Sequence, residues 1–229
     1  GKRLYMRRVF FRFLQGEMNL STENQSVCAV VVAAGSSRRM GGENKLLLPL
    51  CGKPVLAHTL TAFQMCGAVR DIVLVCREQD MEVYRTLAAE NGITKLRTLT
   101  RGGDTRTESV LAGVSAASEA CALVAVHDGA RPLVSDEVIT QAVAEAAKTG
   151  AAAPVVPVKD SIKRIENGKI AADVPRDTLA AVQTPQVFRR DMLLHALLDA
   201  AANGRSFTDD CAAVEALGQT VSATSGSYE

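Results

Sequence analysis

The sequence predicts an α/β protein with a doubly wound, mostly parallel sheet and a projecting β-hairpin arm. From residue 27 onwards, apolar strand-like runs alternate with amphipathic helical stretches. Three of these runs are apolar without interruption, as in strands that are covered on both faces. The 229 residues, 47% of them hydrophobic, suffice for one domain with a large core. We therefore expect a single domain over residues 27–229.

Five apolar runs are the expected strands of the sheet. They cover residues 27–33, 71–76, 95–99, 122–127 and 151–158. Strands that alternate with helices in this way run parallel, and such sheets bind ligands beyond the carboxyl ends of their strands. We expect all five to be buried and the binding site to lie at that edge.

The stretches between the strands have the signals of amphipathic helices. They cover residues 54–67, 80–92, 105–117 and 135–150. In the last of them, Ser135 is a typical N-cap, acidic residues follow in the first turn, and Gly150 is a typical stop. Two more helices are expected over 192–204 and 208–218, followed by a final strand over 220–224.

A hairpin arm is expected over residues 158–175. Two short alternating runs flank Asn167-Gly168, which is the strongest short hairpin signal. The segment is too small for its own core, and an isolated hairpin is marginally stable. We therefore expect it to pack on a second subunit or on another part of this chain. The alternative is a hairpin that extends into solvent without such a contact.

Residues 1–26 form a leader outside the predicted core. The first seventeen residues contain five of the 26 basic residues and one of the 25 acidic residues, so the remainder has 21 basic and 24 acidic residues. We expect a tag or a mis-started segment in preference to a targeting segment, because no small-residue cleavage site follows. The chain after residue 17 therefore has no excess of basic residues, which argues against a nucleic-acid-binding protein.

The composition also argues against a membrane-spanning helix and a zinc site, and it favours a reducing compartment. No run reaches the eighteen apolar residues that a membrane helix needs, so no membrane association is expected. The six cysteines form no C-x-x-C pair, which is typical of a reducing cytoplasm. The three histidines lack the spacing of zinc ligands.

The first candidate functional segment follows the first strand. Small residues at Ala33, Ala34 and Gly35 allow backbone N–H groups to approach a ligand, and basic residues including Arg39 and Lys45 follow. This suits a polyphosphate, although neither a Walker motif nor G-x-G-x-x-G is present. Taken alone, the segment fits equally well a tight turn with solvated basic residues.

Two further segments follow the fourth and third strands. In VHDGARP, Asp128 follows a strand end, where a carboxylate can bind Mg²⁺, and Arg131 can bind an anionic substrate. His127 is interpreted as a strand-end residue with satisfied hydrogen bonds and not as a catalyst. In TRGGDTRTESVLAG, residues 102–109 offer close backbone approach and polar groups for reading a base edge. Helix initiation by Asp104 or Thr105 is the alternative for that segment.

Five motifs occur in order: AAGSSRRM with NK and GKPVL, GGDTRTESVLAG, VHDGARP, VKDSIK, and TPQVF with FTDD. Together they resemble the 2-C-methyl-D-erythritol 4-phosphate cytidylyltransferase family of the non-mevalonate isoprenoid pathway. The resemblance runs from Val27 to Tyr228. The first motif alone marks the wider nucleotidyltransferase superfamily, whereas the ordered set is specific.

The resemblance implies a Rossmann-like nucleotidyltransferase fold, Mg²⁺ as cofactor and transfer of CMP from CTP to methylerythritol phosphate. It implies catalytic roles for Arg39 and Lys45, a metal ligand in Asp128 and a homodimer joined through the 158–175 arm. The implied nucleotide contacts are Ala33, Ala34, Gly35, Gly103, Asp104 and Ser109. The implied substrate contacts are Arg131, Ser161, Arg176, Thr184 and Thr208, with Ser161 and Arg176 supplied by a neighbouring subunit.

Two departures and two alternatives accompany this interpretation. Ser161 stands where family members often have Thr, which keeps the hydroxyl, and the family continues after the last strand with an Asn-Ile-Lys-like segment beyond Glu229. We expect the absence of that lysine to lower turnover, whether through truncation or removal of a fused partner. The alternatives are a cytidylyltransferase for another polyol phosphate, such as ribitol 5-phosphate, and a catalytically silent nucleotide-binding homologue.

Overall fold

The structure is a computed structural model that describes residues 26–35 and 44–228. The predicted leader up to residue 25 and the basic residues Arg38 and Arg39 lie outside the described residues. Twelve strands are present in the described part of the chain. They are β1 (Val27–Ala33), β2 (Pro49–Leu50), β3 (Lys53–Pro54), β4 (Val69–Cys76), β5 (Leu96–Arg101), β6 (Leu123–Asp128), β7 (Ala151–Pro157), β8 (Ile162–Glu166), β9 (Lys169–Val174), β10 (Ala180–Val182), β11 (Gln186–Arg189) and β12 (Ser222–Ser225).

Eight of these strands form the central sheet. Its order is β10-β7-β11-β6-β1-β4-β5, and β12 also pairs with β7. Strands β1, β4, β5, β6, β7 and β12 share one direction, whereas β10 and β11 are antiparallel to their neighbours. The prediction of a mostly parallel sheet is therefore confirmed.

Six α-helices of the described residues cover the sheet. They are α1 (Val55–Met65), α2 (Met81–Glu90), α3 (Arg106–Ala116), α4 (Asp136–Thr149), α5 (Arg190–Ala202) and α6 (Asp210–Glu215). Alternate residues of β1 enter opposite core clusters: Cys28 and Val30 pack with residues of α3, α5 and α6, whereas Ala29 and Val31 pack with residues of α1 and α2. Because helices cover both faces, the sheet is doubly wound as predicted.

Two features of the sheet differ from the prediction. Strand β5 was expected to be buried, but its residues are only partly buried or exposed. Among the strands that the structure describes, it pairs with β4 alone and lies at the edge of the sheet. The two antiparallel strands, β11 between β6 and β7 and β10 at the outer side of β7, were not expected, because runs of three and four residues are too short to give a clear strand pattern.

The predicted arm is present as the hairpin β8–β9. Asn167 and Gly168 have φ values of 51° and 76°, so both lie in the left-handed region that a two-residue hairpin turn requires. The side chains of Ile165 and Ile170 are 60% and 70% exposed. The arm follows the carboxyl end of β7, so it projects from the edge at which the parallel strands end.

All six cysteines are free thiols, and five of them are buried. Burial raises the pKa of Cys28 to about 12 and that of Cys76 to about 11, so these thiols are protonated and unreactive. Within residues 26–35 and 44–228, no helix has both the length and the apolar character to cross a membrane.

Candidate active site

Three loops meet beyond the carboxyl ends of the parallel strands. They follow β1, β5 and β6, and contain Ala33–Gly35, Gly102–Thr105 and Asp128–Arg131. The backbone N–H of Gly129 donates to the carbonyl of Val32 at 2.9 Å, which joins the loop after β6 to β1. The structure therefore places the three predicted segments at one edge of the sheet, as expected.

The loop after β5 packs directly on the loop after β1. A Cβ atom at Gly102 would lie 2.6 Å from Ala34 Cβ and 2.8 Å from Ser109 Oγ, so a larger residue does not fit between them. The Ser109 hydroxyl is buried and donates to the carbonyl of Thr105 at 2.9 Å, and the N–H of Gly103 donates to that hydroxyl at 3.2 Å. The hydrogen bonds of Ser109 thus hold this loop in its conformation.

The same loop begins α3 through a capping box. Thr105 is the N-cap and its hydroxyl accepts from the N–H of Glu108, whose carboxylate accepts in return from the N–H of Thr105. That backbone hydrogen bond lowers the pKa of Glu108. Helix initiation is thus confirmed at Thr105, and the exposed Asp104 just before it remains available to a ligand.

Lys45 begins a short 3-10 turn, Lys45–Leu47, after the undescribed residues 36–43. The side chain of Asn44 accepts from the N–H of Leu46 at 3.2 Å and donates to the hydroxyl of Tyr84 at 2.9 Å. Tyr84 is completely buried, so this turn is attached to the core while Lys45 itself is exposed. Arg39, the other predicted catalytic cation, lies outside the described residues.

Asp128 at the end of β6 lies between two guanidinium groups. Its carboxylate is 3.0 Å from Arg131 Nε and 3.7 Å from Arg106 Nη2, and its side chain is 35% exposed. The described residues contain no group of three side chains suited to a metal ion. One carboxylate together with substrate phosphates is nevertheless the usual protein environment of Mg²⁺, so Asp128 fits that cation.

His127 links Arg131 to Thr184. Its Nε2 is 3.0 Å from the carbonyl of Arg131, which can only accept, so Nε2 carries the proton and Nδ1 accepts from the Thr184 hydroxyl at 2.9 Å. Burial lowers the pKa of His127 to about 4. The interpretation of His127 as a satisfied strand-end residue is confirmed, and its imidazole positions two predicted substrate residues.

Thr208 lies on the exposed segment between α5 and α6, and this segment is attached to residues that the sequence analysis missed. Arg106 Nη2 is 2.9 Å from the carboxylate of Asp210, which is 1% exposed. Asp209 caps α6, accepting from the N–H of Ala212 at 2.9 Å. Two features of the sequence could have indicated this ion pair: Arg106 directly follows a helix N-cap, and the FTDD motif contains two adjacent acidic residues.

The arm residues Ser161 and Arg176 lie at the two ends of the β8–β9 hairpin, which follows β7. Both are exposed, and Arg176 Nη1 donates to the carbonyl of Lys159 at 2.5 Å. Arg176 lines an open groove of about 1100 Å³, whereas Arg131 and Thr184 line a different cavity of about 180 Å³. Within the described residues, the predicted substrate residues Arg176 and Arg131 therefore belong to two different cavities.

The model of the 2-C-methyl-D-erythritol 4-phosphate cytidylyltransferase family matches residues 27–229. This chain belongs to that family. Two relatives bear the same name: one from Dehalococcoides mccartyi, 42% identical over 206 residues covering 90% of this chain and 89% of the relative, and one from Bacillus licheniformis, 43% identical over 201 residues covering 87% of each.

Solved structures of the family have the same fold. The 4-diphosphocytidyl-2C-methyl-D-erythritol synthase of Anaerococcus prevotii has a TM-score of 0.80 at 26% identity, covering 90% of this chain and 91% of its own. The 2-C-methyl-D-erythritol 4-phosphate cytidylyltransferase of Thermus thermophilus has a TM-score of 0.70 at 31% identity, covering 87% of this chain and 88% of its own. The family's nucleotidyltransferase fold is thereby confirmed for this chain.

Proposed function

We propose that the protein transfers CMP from CTP to 2-C-methyl-D-erythritol 4-phosphate, releasing pyrophosphate and forming 4-diphosphocytidyl-2-C-methyl-D-erythritol. The observation that carries this proposal is the close packing of the loops after β1 and β5 beside Asp128. Gly102 allows these loops to meet, as its Cβ position 2.6 Å from Ala34 demonstrates. Family membership supplies the identity of the two substrates.

The nucleotide binds across these two loops. Ala33, Ala34 and Gly35 lie at the carboxyl end of the central strand β1, where small residues expose the backbone to phosphates. Gly103 and Asp104 face the same edge, and Ser109 holds the loop that presents them. We assign these residues to the cytidine and the phosphates.

The attacking group needs no general base. A phosphate monoester has a second pKa of about 6, so its oxygen is already an anion near neutral pH. His127 fits this scheme, because it is buried, neutral, and has both ring nitrogens engaged. Catalysis then depends on alignment and on neutralising the charge that accumulates around the α-phosphorus, for which we assign Lys45 and Arg39.

Mg²⁺ is the proposed cofactor, with Asp128 as its protein ligand. When bound, the ion would neutralise charge on the phosphate oxygens. Arg131 and Arg106 flank the Asp128 carboxylate at 3.0 and 3.7 Å and hold it at the end of β6. The Asp128 side chain remains partly exposed, which leaves it accessible to a hydrated cation.

The polyol phosphate lies beside the nucleotide, against Arg131, Thr184 and Thr208. Ser161 and Arg176 are assigned to the site of a second subunit, because both lie on the arm and Arg176 lines a different cavity from Arg131 and Thr184. The exposed isoleucines of the arm support the same assignment, since apolar side chains at an arm tip are typical of a subunit contact. We propose a homodimer joined through residues 158–175.

We further propose a cytoplasmic location. The support is the state of the cysteines: all six are free, and the buried ones are held as protonated thiols in the core. A reducing compartment is where proteins keep such thiols unpaired.

Pyrophosphate release tests the proposal. The protein is assayed with each of the four ribonucleoside triphosphates and Mg²⁺, against methylerythritol phosphate and against ribitol 5-phosphate. We expect release only with CTP and methylerythritol phosphate together. Comparable turnover with ribitol 5-phosphate or UTP would overturn the assignment, and the absence of turnover with every pair would indicate a silent nucleotide-binding homologue.

A further inference from the structure

We infer that the first turn of α3 is a positioning element for the polyol substrate, in which Thr107 and Arg106 hold the segment that carries Thr208. The inference rests on the proposed function, because there Thr208 contacts the substrate. It concerns neighbouring residues that contact neither the nucleotide nor the polyol in that scheme. Their role follows from how the segment between α5 and α6 is attached.

In the segment over residues 203–209, backbone hydrogen bonds attach residues 203–205 to the end of α5, and Phe207 packs against the core. The segment links the end of α5 to the start of α6 without regular structure, and Thr208 within it is exposed. An exposed connection of this kind samples many conformations unless its backbone is held at both sides of the functional residue. The position of Thr208 is therefore set by what holds its neighbours.

Thr107 holds the segment on the N-terminal side of Thr208. Its hydroxyl accepts from the backbone N–H of Phe207 at 3.1 Å and lies 3.4 Å from the hydroxyl of Ser206. Thr107 is 5% exposed and belongs to α3, so this anchor is part of the packed core. The residue directly before Thr208 is thus attached to a rigid helix.

Arg106 holds the segment on the C-terminal side. Its Nη2 donates to the Asp210 carboxylate at 2.9 Å, and the side-chain carbonyl of Gln186 accepts from the N–H groups of Asp210 and Cys211 at 2.9 and 3.1 Å. Burial raises the pKa of Asp210, and Arg106 opposes that rise. The carboxylate therefore depends on the neighbouring guanidinium, and Thr208 lies between two anchors from one helical turn.

The same turn is continuous with the nucleotide loop. Thr105 caps α3 directly before Arg106, and Arg106 Nη2 is also 3.7 Å from the Asp128 carboxylate. The position of the polyol-binding segment is in this way fixed relative to the nucleotide loop and to Asp128. Loss of the Thr107 anchor should disturb the polyol and leave the nucleotide in place, because the loop at 102–105 keeps its own contacts with Ser109.

The test compares Thr107→Val, which has the same shape without the hydroxyl, with Thr107→Ser, which keeps it. For Thr107→Val we expect the KM for methylerythritol phosphate to rise about fivefold, the equilibrium effect of one ordinary hydrogen bond. The Kd for CTP, measured by calorimetry with Mg²⁺ and no second substrate, should stay at the wild-type value. Thr107→Ser should restore the low KM.

Thr149→Val is the control, because the Thr149 hydroxyl also bonds backbone groups, donating to the carbonyls of Glu145 and Ala151 at 3.0 Å, but does so at the end of α4 and before β7 begins. Thr107→Ala replaces the valine variant if the latter does not fold. An unchanged KM for the polyol, or a parallel loss of CTP affinity, would overturn the inference. Failure of the wild-type protein to turn over would instead overturn the proposed function.

Discussion

At the scale of single residues, His127 shows how a buried polar side chain serves the site without taking part in proton transfer. Its ring packs edge-on against Phe63, with centroids 4.9 Å apart, and its two nitrogens bond Arg131 and Thr184. A charged imidazole could not accept from Thr184, because both nitrogens would then be donors. The Thr184 hydroxyl would have to reverse its hydrogen bond, and, above all, burial of the ring disfavours the charged imidazole, so protonation of His127 conflicts with the folded state.

This conflict predicts a pH-dependent stability. The pKa of His127 falls from 6.5 to about 4 on folding. The unfolded chain therefore binds the proton more readily, and stability is lost as the pH falls from 6.5 to 4 and is constant below that range. The loss from this residue is about 3 kcal/mol.

The measurement is the free energy of unfolding in denaturant between pH 7 and pH 4. His127→Gln should show a smaller loss over this range than the wild type. His195→Gln, which removes an exposed imidazole from α5, is the control and should keep the wild-type pH dependence. If His127→Gln loses as much stability as the wild type, the imidazole does not stay neutral in the folded protein.

At the scale of elements, the fit between two loops depends on the absence of one side chain. The loop after β5 touches the loop after β1 at Gly102, where a Cβ atom would meet Ala34 Cβ at 2.6 Å and Ser109 Oγ at 2.8 Å. Neither neighbour is the far end of a flexible side chain. An added methyl group must therefore push the loops apart.

Gly102→Ala should weaken CTP binding by about tenfold, because overpacking of this kind costs about 1–3 kcal/mol and here acts on the two loops that hold the nucleotide. Calorimetric titration with CTP and Mg²⁺ measures it. Gly67→Ala is the control, since a Cβ there meets nothing within 4 Å and the residue lies at the end of α1, away from the site. Equal CTP affinity in the two variants would refute the packing argument.

At the scale of the whole molecule, the predicted substrate residues line two different cavities, and in our proposal a homodimer brings them into one site. Arg176 lines the groove of about 1100 Å³, whereas Arg131 and Thr184 line the cavity of about 180 Å³. In a twofold dimer, each arm would reach the partner's strand ends reciprocally. Each site would then combine residues of two chains.

Mixing two inactive variants tests this arrangement. Lys45→Ala damages the strand-end part of the site and Arg176→Ala damages the arm part, so a heterodimer of the two has one intact site. Random exchange of subunits should restore about a quarter of the wild-type activity. The control is a mixture of Lys45→Ala with a double Lys45→Ala, Arg176→Ala variant, which has no intact site. No recovery in the first mixture, with exchange verified by mass, would show that each arm serves its own chain.

The sequence by itself determined the class of fold, most of the helices and strands, and the family. Periodicity and caps are local, so α4 with its Ser135 cap and the hairpin at Asn167-Gly168 were predictable from neighbouring residues. The strand ends after β1, β5 and β6 were identifiable as site elements for the same reason, because parallel strands carry their ligands at one edge.

Only the tertiary structure decided how distant segments meet. The exposure of β5 depends on its place at the sheet edge. Strand β11 forms between β6 and β7, and β10 forms against β7, because these neighbours pair with them and not because three or four residues specify a strand. The ion pair of Arg106 with Asp210 joins residues 104 positions apart, and the hydrogen bond of Thr107 with Phe207 joins residues 100 positions apart. No local pattern contains such pairs, because chain packing alone brings their atoms together.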